Sequence, residues 1–241
     1  MGIAHSMLLA CQEVAQGTRA FHLARPTGFD FRPGQAFEIQ LPGIAGEASG
    51  QDRAHAFSIV SAPHEAELIF VTRMRDSAYK RALARLTTGA KLDIDGPFGS
   101  LTLHKNVQRA GVLIAGGIGI TPFMSMIRHA VHTSSRQPLV LLYSNRRPED
   151  AAFLAELQAH AKTLPSFTLH ATITDMARSD QRWVGATAMM DAAFVQQAIK
   201  GLPAPVVYVS GPPGMVQGLR HTLAQAGVDE DDVRSEEFYG Y

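Results

Sequence analysis

The segment Leu113–Met126, LIAGGIGITPFMSM, limits the possible fold more than any other stretch of the chain. Apolar residues run into Gly116-Gly117-Ile118-Gly119, and Thr121-Pro122 then opens a helical stretch. Glycines let the backbone approach a ligand closely, and the free N–H groups of a helix start suit a pyrophosphate. Pro122 fits a first helical turn, where its missing N–H costs nothing. The alternation continues downstream. Strands are expected at Gly111–Ala115, Leu139–Tyr143, Thr168–Thr174, Pro205–Val209 and Ser235–Phe238. Helices are expected from Thr121, from Pro148, over Met189–Ile199 and over Gly214–Ala226. This βαβ rhythm predicts a doubly wound parallel sheet, the architecture of a nucleotide-binding domain.

The first hundred residues have a different rhythm. Short apolar runs at Met7–Val14, Ala20–Ala24, Ala36–Leu41, Phe57–Ser61, Leu68–Arg73, Lys91–Ile94 and Leu101–Leu103 are split by Thr27-Gly28, Pro33-Gly34, Pro42-Gly43, Thr88-Gly89 and Gly96-Pro97. Such spacing predicts an antiparallel β-barrel, with one helix over Ala78–Leu86 capped by Ser77. The expected class is thus a β-barrel plus α/β, with a barrel domain over 1–106 and a nucleotide domain over 107–241. The change of rhythm falls within His104–Arg109.

Composition removes several functions. The 22 basic and 22 acidic residues balance, so there is no cationic excess for nucleic acid or an anionic membrane. A single cysteine, Cys11, cannot form an internal disulfide or a four-cysteine iron–sulfur or zinc centre. His64-Glu65-Ala66-Glu67 lacks the spacing of a zinc helix, and no metal is expected. Leu8-Leu9-Ala10-Cys11 resembles a lipoprotein box without a basic leader, and Met1-Gly2-Ile3-Ala4-His5-Ser6 matches a short myristoylation pattern. Both are read as the approach to a first strand. With no long apolar run, a cytoplasmic protein is expected.

Five segments then stand in a telling order. They are His55-Ala56-Phe57-Ser58, Gly96-Pro97-Phe98-Gly99-Ser100, the AGGIGITP turn, Val207–Met215 (VYVSGPPGM) and Glu236-Glu237-Phe238. In this order the chain resembles the ferredoxin–NADP⁺ reductase superfamily over essentially its whole length. The resemblance implies an FAD site, with FMN the lesser alternative. Phe57 would pack on the isoalloxazine and Ser58 would hydrogen-bond flavin N5. His55 departs from the family's arginine for the flavin pyrophosphate, and a histidine has fewer donors than that fixed fork. Ala56, Val71, Thr72 and Arg73, with the helix start Ala78-Tyr79-Lys80, are the expected further flavin contacts. Lys80 supplies a compensating charge.

On the coenzyme side the resemblance assigns Gly117, Gly119, Thr121, Pro122, Gly211 and Met215 to the nucleotide. Ser210 stands beside the nicotinamide, Glu236 handles protons and Phe238 is the C-terminal aromatic; Tyr239-Gly240-Tyr241 extends beyond it. Asn145 and Arg146 close one strand, and Asp175 closes the next. A carboxylate there accepts from a ribose 2′-hydroxyl and repels a 2′-phosphate, which favours NADH over NADPH, although Arg146 points the other way. The implied activity is an NAD(P)H-dependent flavoprotein reductase, with Ser58, Ser210 and Glu236 catalytic. Electrons would pass singly to a separate ferredoxin, flavodoxin or oxygenase component. The alternatives are a free flavin or quinone reductase, and an electron-transfer subunit of a larger complex.

Overall fold

The computed structural model describes residues 2–41 and 53–238. Two sheets organise the chain. The first contains β1 (Ala4–Ala15), β2 (Thr18–Ala24), β3 (Ala36–Gln40), β4 (Ala54–Ser58), β5 (Glu67–Arg73) and β6 (Lys91–Phe98), in the spatial order β4-β3-β6-β1-β2-β5. Every paired neighbour is antiparallel. Just beyond β4, the Val60 N–H donates to the Ile69 carbonyl of β5 at 2.7 Å, so the outer strands curl together into a barrel. Its core is aromatic. Phe21 and Phe70 stack at 4.9 Å, and Phe37 meets Phe70 edge-on at 6.1 Å. Helix α1 (Ala78–Ala84) covers this core. Ser77 caps it by accepting from the Lys80 N–H, Tyr79 and Leu83 are buried, and the Tyr79 hydroxyl donates to the Ile39 carbonyl at 3.0 Å.

The second sheet is parallel and contains β7 (Gly111–Gly116), β8 (Leu139–Asn145), β9 (Phe167–Ile173), β10 (Val206–Gly211) and β11 (Val233–Glu237), in the order β11-β10-β7-β8-β9. Helices α2 (Thr121–His132), α3 (Leu154–Thr163), α4 (Ala192–Ile199) and α5 (Pro213–Gln225) connect the strands. β7 and β10 are buried at every residue because helices cover both faces, so their sequences are continuous apolar runs. The chain leaves β7 towards β8 on one side and returns as β10 on the other. The crevice between β7 and β10 is therefore the topological switch point, where open α/β sheets bind ligands.

Three expected elements differ. Residues 101–103 pair with no strand. β6 runs on to Phe98, and Leu101 instead leaves the sheet to enter a core cluster with α2. The helix that starts at Pro148 is a single 3₁₀ turn, Pro148–Asp150, set apart from α3, and Arg147 clamps its Asp150 carboxylate at 2.9 and 2.7 Å. The chain then passes Phe153 at φ 62 before the helix begins. The helix expected from Met189 begins at Ala192, where Asp191 accepts from the Phe194 N–H at 2.8 Å. Pro42-Gly43 and Tyr239–Tyr241 lie outside the described residues.

The sheets share a core. Val60, Ile69, Val71 and Leu101 from the first half belong to one buried cluster with Leu113, Phe123, Met126 and Ile127 from the second. The Ser125 hydroxyl of α2 donates to the Ser61 carbonyl at 2.7 Å across the same boundary. Among the described residues no helix is long and apolar enough to cross a membrane.

Candidate active site

The glycine turn Gly117–Ile120 sits at the switch point and touches the end of β10. A Cβ on Gly119 would overlap the Ser210 carbonyl and lie 2.8 Å from the Gly211 Cα, so only glycine lets the two strand ends meet. Gly117 has φ +54, and a Cβ there would meet nothing within 4 Å. Its backbone therefore faces open space, as a turn that approaches a ligand must. Thr121 and Pro122 are buried, and the Thr121 hydroxyl donates to the Ile118 carbonyl at 3.0 Å. Both residues shape the turn.

A cleft of ≈ 790 Å³ opens over this turn. Of the residues expected at the nucleotide, Gly117, Asn145, Arg146 and Met215 line it, and so does Arg73, which was expected at the flavin. Arg75, Asp150, Met189 and Met190 also line it and were not expected. Met189 and Met190 were hidden by their assignment to a helix. Arg75 stands two residues beyond Arg73, and an Arg-x-Arg pair at a strand end is a signal that sequence reading could have used. Asn145 is 6% exposed and its side-chain oxygen has no partner, which leaves an acceptor ready at the cleft.

Ser210, Gly211, Glu236 and Phe238 come together at the other end of the crevice. Ser210 is paired in register with Glu236, and the Phe238 N–H donates to the Gly211 carbonyl at 3.0 Å. Burial holds the Glu236 carboxyl above its usual range. Of the two successive glutamates, Glu236 is the one aligned with Ser210; Glu237 aligns with Gly211. Ser210 is fully buried and its hydroxyl has no hydrogen-bond partner.

On the barrel side, Phe57 packs on Phe70 with ring centroids 4.7 Å apart and lies partly open. Ser58 is 5% exposed, and its hydroxyl too is without a partner. An unsatisfied buried hydroxyl costs about 1–3 kcal/mol, so each of the two is a place where a ligand group would be stabilising. Lys80 reaches over the Phe57 ring at 4.8 Å and donates to the Thr72 hydroxyl. Burial without a carboxylate pulls its ammonium down to about 8. The His55 ring packs against Tyr79 at 4.2 Å.

Three expected contacts are redirected. Tyr79 turns its phenol into the barrel, so it offers a ligand no hydroxyl. Its neighbour Lys80 has its N–H taken by Ser77, which removes that N–H as a phosphate donor. Val71 is a core residue, so its side chain faces the shared cluster rather than the cleft. Ala56 is exposed on the edge strand β4, and Ala78 begins α1 on the surface.

A curled antiparallel sheet is thus joined through a common core to a doubly wound parallel sheet, with the cleft lined from both. Residues 113–221 match the family model described as oxidoreductase NAD-binding domain. The chain is 25% identical over 224 residues to the glycine betaine monooxygenase reductase subunit of Chromohalobacter salexigens, a match covering 92% of this chain. It spans 60% of that relative's length. Amycolatopsis cytochrome P450 reductase GcoB superposes with a TM-score of 0.80 at 20% identity, over 98% of this chain and 70% of that one. The ferredoxin NADP⁺ reductase of Neisseria gonorrhoeae, solved with FAD and NADP, superposes with a TM-score of 0.78 at 20% identity over 98% of both chains. The chain shares the fold of these solved structures.

Proposed function

We propose that the protein is an NAD(P)H-dependent flavoprotein reductase that serves a separate electron acceptor. The observation that carries this reading is the pair of buried, unpartnered hydroxyls, Ser58 at the end of β4 and Ser210 at the end of β10. A bound flavin supplies acceptance of hydride as an electron pair and release of the electrons singly. Phe57 gives its ring a planar seat, and Ser58 offers a hydroxyl that donates or accepts at N5. Lys80 places a cation at the same seat, for phosphate. The open backbone at Gly117 and the acceptor of Asn145 hold the dinucleotide. Ser210 leaves room for the nicotinamide, and Glu236, whose carboxyl burial pushes above its usual range, is placed to take up or give a proton beside it. We assign the barrel to residues 1–106, the nucleotide domain to 107–241, and the protein to the cytoplasm.

The acceptor we favour is an oxygenase component or a small electron carrier. The likeness to the Chromohalobacter salexigens glycine betaine monooxygenase reductase subunit supports this. The test is a titration of the purified protein with FAD and FMN, followed by anaerobic mixing with NADH and NADPH. One flavin bound per chain and bleached by either coenzyme is expected. A protein that binds neither flavin would overturn the reading. Efficient turnover of free FMN with no response to any protein carrier would move it to a flavin reductase.

A further inference from the structure

A cavity of ≈ 470 Å³ opens where the β4–β5 loop meets α2 and α3, with His64 and Glu65 of the loop, Arg128 and His132 of α2, and Glu156 and His160 of α3 in its wall. The loop is pinned from both sheets. Arg25, just beyond β2, donates to the carbonyls of Pro63 at 2.6 Å and Glu65 at 3.2 Å, on either side of His64. From α2, Arg128 donates to both Glu156 oxygens at 2.7 and 2.9 Å and to Glu65 at 3.5 Å. Held in this way, the His64 ring lies flat on that of His132, with centroids 3.6 Å apart and planes 7° from parallel. His129 stands three residues before His132 on the same helix, and its Nδ1 is buried without a hydrogen-bond partner. The three imidazoles lie within one another's electrostatic field.

Such rings attract while neutral and repel once two of them carry protons. Among the described residues no three histidine, cysteine or carboxylate side chains are placed to hold a metal ion. Burial, and after it the neighbouring imidazoles, push His64 and His129 below the ordinary histidine value of about 6.5. At His64, Glu65 opposes this shift and Arg128 adds to it. The folded chain therefore takes up these protons less readily than the unfolded chain. The contact is secure above about pH 6.5 and is lost as the pH falls below it. Glu156 stays charged across that window, because hydrogen bonds from His160 and Arg128 outweigh burial and hold its carboxyl down to about 2. His160 pairs with Glu156 at 3.3 Å inside α3, so charging it tightens that helix without crossing the boundary. The rings of His64 and His132 are open to solvent, which screens their repulsion and keeps its effect local.

We infer that His64, His129 and His132 form a proton-operated latch, which holds the β4–β5 loop on α2 near neutral pH and releases it in mild acid. The loop continues from Ser58 and α2 continues from the glycine turn, so the latch governs how firmly those two segments are held together. It goes beyond the reductase reading and stands without it.

The test is hydrogen–deuterium exchange of the purified full chain, corrected for the intrinsic pH dependence of amide exchange. Peptides covering 59–66 should exchange about fivefold faster at about pH 5.5 than at about pH 7.5, while those of β8 change by less than about twofold. His132→Phe keeps a ring on His64 but takes no proton. It should match the wild type at neutral pH and lose most of the acid response, and His64→Phe should do the same. An acid response that survives in both variants would overturn the proposal. So would a wild type with no acid response, or one in which β8 accelerates as much as the loop, since the change would then be global.

Discussion

The two halves of the proposed site are built by different means. At the nucleotide end the work falls to backbone. Gly117 is open to ligand and Gly119 is pressed against Ser210, and no side chain could replace that close approach. At the barrel end it falls to side chains. Phe57, Ser58, Thr72 and Lys80 form a seat whose chemistry changes one residue at a time. The difference has a plain consequence for variation. A backbone site tolerates almost nothing at its glycines, whereas a side-chain site can lose one interaction and keep its shape.

The largest effect should come from the backbone end. Gly119→Val should cost about 3 kcal/mol of stability or more, because the branched side chain meets main-chain atoms that cannot move aside. Thermal unfolding and 5′-AMP titration would both report it. A variant with wild-type melting and affinity would break the contrast at its strongest point.

Next comes Ser58→Ala. Flavin should remain bound, while hydride transfer measured by stopped-flow slows about 10²-fold, the scale of losing one donor aimed at developing charge. An unchanged rate would mean the buried hydroxyl has no part in the reaction. Ser210→Ala should slow it less, because the fit beside the nicotinamide depends on small size as well as on the hydroxyl.

Lys80→Met should weaken FAD and FMN binding about tenfold and leave riboflavin, which lacks phosphate, unaffected. The pH dependence follows from the lysine's position. Its ammonium in the free protein is pulled down to about 8, and a bound phosphate favours the charged form. Flavin affinity in the wild type should therefore be greatest below about pH 8 and fall as the pH rises above it. Fluorescence titrations across that range would show the fall, and Lys80→Met should abolish it. Equal loss of riboflavin would make the lysine a packing residue instead.

The smallest expected effect is at Glu236. Burial raises its carboxyl, so the acid limb of the reduction rate should lie above the ordinary carboxylate range. Glu236→Gln should flatten that limb and change the plateau rate only a fewfold. A limb that survives in the variant belongs to another group.

Sequence reading reached the nucleotide end well because its signal is local. The strand, glycines, Thr121 and Pro122 are contiguous, and their backbone chemistry is written in the residue types. The apolar runs of β7, β8 and β10 were equally plain. The barrel motif was legible only through resemblance, since Phe57 and Ser58 alone suit any core strand. Other features are set by tertiary contact. The histidine latch draws on the β4–β5 loop and the last turn of α2, which the sequence separates by scores of residues. The pairing of Asp175 with Arg178 is likewise invisible without coordinates. Leu101–Leu103 reads as a strand because apolar residues serve a strand and a domain contact alike.

The cluster that joins Val60, Val71 and Leu101 to Phe123 and Met126 bears on how the molecule comes apart. Neither half can leave the other without exposing the same apolar surface to water, so the free energy of each is tied to that of its neighbour. The melting of the barrel and the melting of the parallel sheet should then be a single event. Scanning calorimetry would register one endotherm whose van't Hoff and calorimetric enthalpies agree. Access to the crevice should in turn come from side chains in its lining, Met189 and Met190 among them, rather than from a hinge between two bodies.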